Sequence, residues 1–104
     1  MDQDVIAEVR IDGHGRLHVV PGQAEFPFVY RAGLEVGWDA SARSLHSPTP
    51  REGDYVGWYR RLVTAAAQEY GCRLRLTERT VWIDVEPGIR AQLIEASASL
   101  PGRS

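Results

Sequence analysis

A single cysteine, Cys72, leaves this chain without an internal disulfide and without a CxxC metal or redox pair. No run approaches 18 consecutive apolar residues, so no segment reads as a membrane-spanning helix. The opening "MDQDVIAEVR" lacks the basic start and apolar stretch of a signal peptide, which makes the cytoplasm the expected compartment. An excess of basic residues is also missing. The formal net charge is −2, which weighs against nucleic acid as a partner. Internal repeats and low-complexity tracts are absent too. What is present fits one globular domain over residues 1–104: 43% hydrophobic and 25% charged residues suffice for a core without metal or disulfide. "ASASLPGRS" reads as a tail that frays from about residue 98.

Hydropathy patterning then divides the chain. Val5, Ala7, Val9 and Ile11 alternate with polar positions, apart from Ile6, and predict a strand. "DGHGR" turns the chain, and Leu17 and Val19 resume the apolar face. Pairing Ile11 with Leu17 and Val9 with Val19 keeps that face together and sets Asp12 opposite Arg16. From Phe26 to Trp38, seven successive even positions are apolar, which predicts a long strand bent at Gly33 and Gly37. Leu45 is expected to face Trp38 across the next hairpin.

Residues 55–70 change to a helical period. Tyr55, Tyr59, Leu62, Val63, Ala66 and Tyr70 fall on one stripe, and Gly71 follows as the stop. "CRLRLTERTVWIDV" predicts a hairpin turning near 77–80. "EPGIRAQLIEA" predicts a short helix with Pro87 in its first turn. The expected fold is α+β: a curved, mostly antiparallel sheet of about six strands packed on one long helix, in the order ββββ-α-ββ-α.

The stretch "LHSPTPREGDYVGWY" concentrates groups able to do chemistry. Glu52 and His46 offer an acid/base pair, with Ser44 or Ser47 as nucleophile, but nothing local makes them converge. Helix initiation explains more of its residues. Thr49 stands as N-cap, Pro50 at the first helical position and Glu52 reaching back, with Asp54 as a second possible cap. His14, His18 and His46 match no zinc spacing, so no metal is expected, and no cofactor. Cys72 alternates with Leu74 and Leu76 and reads as a buried, inert thiol.

Two candidate sites emerge. In the last hairpin, aligning Leu76 with Val81 and Leu74 with Ile83 places Arg75 opposite Trp82 and Arg73 opposite Asp84. Trp and Arg are enriched at interface hot spots, so Trp82, Arg75, Arg73 and Asp84 are the candidate partner-binding residues. Tyr30, Trp38, His46 and Tyr59 are the candidate lining of an aromatic pocket for a small apolar ligand.

"FVYRAGLEVGWDASARSLHSPTPREGDYVGWYRRLV", followed by "YGCRLRLTERTVWIDVEP", resembles a group of small uncharacterised bacterial proteins. Some are carried as integron gene cassettes, and similar small domains are grouped as immunity-type proteins against polymorphic toxins. The resemblance covers about residues 15 to 95 and rests on aromatic and structural positions. It implies an α+β fold and a role in binding, and supplies no catalytic residues.

The reading that results is a non-enzymatic binding protein that occludes a protein partner. The alternatives are self-association through the hairpin, and a small-molecule-binding domain or modest enzyme built on the aromatic pocket.

Overall fold

The alternation on either side of "DGHGR" builds the hairpin it predicts. β1 (Gln3–Ile11) and β2 (Leu17–Pro21) pair antiparallel, with Ile11 opposite Leu17, Val9 opposite Val19 and Arg10 opposite His18. The Asp12 N–H donates to the Arg16 carbonyl at 3.1 Å and closes the turn. Ile6, the residue out of phase with its neighbours, marks a bulge between Ile6 and Glu8. The extra residue shifts the alternation, so Ile6 shares the core with Val9 while Val5 and Ala7 are exposed.

In the computed structural model, which describes residues 2–32, 35–50 and 54–98, the run from Phe26 to Trp38 is not one strand. Val29–Ala32 forms a short 3-10 helix, and only β3 (Gly37–Asp39) is extended. The Val29 and Arg31 N–H groups donate to the carbonyls of Phe26 and Phe28, each at 3.0 Å. That turn buries Phe26 and Val29 and leaves Phe28 and Tyr30 exposed. Two causes override the alternation, one local and one distant in sequence. Pro27 has no N–H to give a neighbouring strand, and the Phe28 N–H is taken by the Tyr70 hydroxyl at 2.8 Å. The buried Phe26 ring then meets Trp38 and Tyr70 edge-on, at 5.8 and 5.1 Å between centroids. The bend expected at Gly33 lies outside the described residues.

β4 (Ser44–His46) pairs antiparallel with β3 and sets Leu45 opposite Trp38, as expected. α1 (Tyr55–Tyr70) buries Tyr59, Leu62, Val63 and Ala66 together with Trp58 and Ala65, and stops at Gly71 with φ 62°. Its cap is Asp54, whose carboxylate accepts from the Gly57 N–H at 2.9 Å. Thr49 does not cap the helix; its hydroxyl donates instead to the His14 carbonyl at 2.6 Å. Glu52, expected to reach back to the Thr49 cap, lies outside the described residues.

The largest correction concerns the last two strands. β5 (Arg73–Arg75) and β6 (Val81–Ile83) do not form a hairpin; each pairs in parallel with β1. β5 runs beside Gln3–Val5 and β6 beside Glu8–Arg10, on either side of the bulge. The nine-residue β1 offers an edge long enough for both, and the step between them is pinned at its middle. Buried Thr80 donates its hydroxyl to the Ile6 carbonyl at 2.7 Å and accepts from the Thr77 N–H at 3.0 Å. The sheet order is β3-β4-β2-β1-β5, with β6 also on β1, so the fold is α+β with a mixed sheet. α1 and α2 (Pro87–Ala98) share one core with Ile6, Val9, Leu17, Val19, Leu45 and Leu74. Both helices therefore cover the same face.

Candidate functional site

Alternation along the strands fixes what the opposite face displays. The neighbours of the core residues, namely Val5, Glu8 and Arg10 on β1, Arg73 and Arg75 on β5, and Val81 and Ile83 on β6, point away from the helices. Val5 (45%), Val81 (53%) and Ile83 (36%) are well exposed there. Arg75 lies opposite Val5, Arg73 opposite Gln3, Val81 opposite Glu8 and Ile83 opposite Arg10. Arg75 donates to the Gln3 side chain at 3.4 Å, and both border a groove of about 380 Å3 with Asp4, Val5 and Gln23. Arg10 holds Glu8 at 3.4 Å. All twelve basic side chains of the chain are arginines, planar donors less tightly hydrated than lysine and suited to contact with carboxylates.

Further along the same face lies a polar cluster that sequence reasoning missed. His18 Nε2 lies 2.7 Å from Asp12 Oδ2, and its Nδ1 lies 3.1 Å from Ser44 Oγ. A carboxylate can only accept, so Nε2 carries the proton, and in the neutral ring Ser44 donates to Nδ1. Burial acts to raise the Asp12 carboxyl, but the His18 hydrogen bond and the backbone N–H groups of Arg16 and His14 outweigh it. The net effect holds Asp12 well below the usual carboxylate range. An acid, a histidine and a serine in this order resemble a hydrolytic set, yet Ser44 is 0% exposed and offers its oxygen to no substrate. The set clamps the β1–β2 turn to β4. The signal for it was the placement of His18 and Ser44 on one sheet face, readable only once the β2–β4 pairing is known.

His46, expected beside Ser44, stands opposite His18 on β4, with ring centroids 5.9 Å apart. Its ring packs so closely on Gly37 that a Cβ there would come within 2.6 Å of it. Burial, then the neighbouring His18, push the His46 pKa down, while Asp39 opposes them. His14 is exposed in its turn. No group of metal-binding side chains comes together among the described residues. Cys72 is buried, and burial followed by the charge of Asp4 pushes its thiol up, as befits an inert side chain.

The other predicted site residues are dispersed. Tyr30 is exposed and Tyr59 fully buried, its phenol pushed up by burial despite Ser97 nearby. Trp38 packs against the core while His46 faces the other side of the sheet, so the four enclose no common aromatic pocket. Trp82 is half-buried on the helix side, opposite Val9, and the arginine over its ring is Arg90, at 5.4 Å, not Arg75. Asp84 is exposed with φ 54° just beyond β6 and does not stand across from Arg73.

A family described as "Integron Cassette Protein Hfx_Cass5" matches residues 4–80. The chain belongs to that integron cassette family. It is similar to a solved structure described as "Structure from the mobile metagenome of North West Arm Sewage Outfall: Integron Cassette Protein Hfx_Cass5". The two are 44% identical over 95% of this cassette protein and 99% of the solved chain, with a TM-score of 0.47. No curated protein matches. The matched span takes in the clamp, the arginines of β5 and the pinned turn of this cassette protein. No helix among its described residues is long and apolar enough to cross a membrane.

Proposed function

We propose that this cassette protein is a non-enzymatic, immunity-type binding module that occludes an acidic protein partner through the helix-free face of its sheet. The observation that carries this reading is the exposure of Val5, Val81 and Ile83 on that face, beside the exposed Arg73 and Arg75. Apolar side chains in water favour burial against a partner, and the two arginines complement carboxylates around it. Of the residues singled out from sequence, Arg73 and Arg75 anchor this face, while Trp82 points to the helix side.

The test is chemical crosslinking and capture from host lysate with the wild type, a Val81→Asp/Ile83→Asp variant and an Arg73→Glu/Arg75→Glu variant. One acidic protein crosslinked to the wild type and lost from both variants is the expected result. A partner retained by both variants, or none crosslinked to the wild type, would overturn the reading.

A further inference from the structure

The helix side of the sheet carries a groove of about 380 Å3 between the 76–78 segment and α2. Trp82 forms its floor. Leu76, Thr77 and Glu78 make one wall, and Arg90 and Ile94, one helical turn apart, make the other. Its size falls within the ~300–1,000 Å3 of small-molecule sites. The first wall is held in place, because Thr80 ties the turn to the Ile6 carbonyl and Thr77 accepts from the Arg79 N–H. α2 is fixed by the buried Leu93 and Ala96 on its core side. The groove is therefore formed before anything enters it.

Its lining is specific in kind. Trp82, Leu76 and Ile94 offer an indole and two branched aliphatic groups, and Ile94 is exposed. The two charged residues have opposite signs and stand on opposite walls. Among the described residues the ion pairs are Arg10–Glu8, His18–Asp12 and Arg43–Glu25, so neither Arg90 nor Glu78 is neutralised by a partner. Arg90 instead rests over the indole, at the wall of the groove.

We infer that this groove binds a small zwitterion with an apolar side chain, the chemistry of a free apolar amino acid. The side chain lies on Trp82 between Leu76 and Ile94, the carboxylate pairs with the Arg90 guanidinium, and the ammonium pairs with the Glu78 carboxylate. This site is separate from the proposed docking face, since Trp82 points to the opposite side of the sheet from Val81 and Ile83.

The test follows the Trp82 indole N–H by NMR, assigned through Trp82→Phe, during titration of the whole chain with L-phenylalanine. The expected result is a saturable shift with a dissociation constant at or below ~1 mM. 3-Phenylpropanoate, which lacks the ammonium, and 2-phenylethylamine, which lacks the carboxylate, should each bind about tenfold more weakly. Arg90→Gln and Glu78→Gln, both at exposed positions, should cost about the same factor for L-phenylalanine. No shift at Trp82 at about ten times that concentration would overturn the inference. Equal affinity for phenylpropanoate and phenylalanine, or unchanged affinity in the Arg90→Gln and Glu78→Gln variants, would do so as well.

Discussion

His18 Nε2 donates to Asp12 Oδ2 at 2.7 Å, across the turn that joins the first two strands. Asp12 also accepts from the N–H groups of His14 and Arg16 through its other oxygen. One side chain thus organises the turn and holds the ring that reaches β4.

Replacing Asp12 with alanine should cost about 2 kcal/mol, because a charged acceptor is lost and His18 and two backbone donors lose their partner. A carboxyl held low in the folded chain stabilises it above the unfolded value of 3.8, and that contribution fades as pH falls below it. Urea midpoints measured from neutrality downward should therefore decline below about pH 4 in the wild type. The decline should be shallower in Asp12→Asn. Parallel curves for the two would refute the assignment.

The His46 pKa lies below its ordinary 6.5 in the folded chain, because burial disfavours the charged ring and His18 stands opposite. Between the two values the unfolded chain binds the proton more readily, so stability falls as pH drops through 6.5 and levels off below the folded value. His46→Gln should remove that component of the slope. Denaturation at about pH 7.5 and pH 5.5 distinguishes the two proteins.

Asp54, not Thr49, caps the long helix. Asp54→Ala should lower stability by about 1 kcal/mol and reduce helix content at the first turn. Thr49→Ala should leave the amide exchange of that turn unchanged, since its bond runs to the His14 carbonyl. Hydrogen exchange at Gly57 and Trp58 reads the difference directly.

Thr80→Val keeps the shape of the buried side chain but strips the Ile6 carbonyl and the Thr77 N–H of their partner. The expected loss is about 1–3 kcal/mol. A loss under about 0.5 kcal/mol would mean that the turn is held by something other than this hydroxyl.

The long helix and first hairpin were legible because their signals are local. A sixteen-residue amphipathic period ending in Gly71 has few other readings, and the Ile11–Leu17 register follows from keeping one apolar face together. The Phe26–Trp38 alternation misled because Pro27 and the distant Tyr70 hydroxyl decide the backbone there. β5 and β6 were recognised as strands but matched to each other. Two three-residue strands carry no information about partners, whereas the vacant edge of β1 is a property of the assembled sheet. The same gap hid the His18 clamp, whose three members come from β2, the turn before it and β4. The expected Trp82–Arg75 pairing failed with the register that implied it.

The bulge in β1 divides one edge between two strands that arrive more than sixty residues later in the sequence. During synthesis, β1 keeps that edge unpaired until β5 and β6 have emerged. Closure of so long a loop is slow, and an open strand edge meanwhile invites pairing with other chains. A chain cut short before Arg73 would therefore be a sticky fragment, not a smaller working protein.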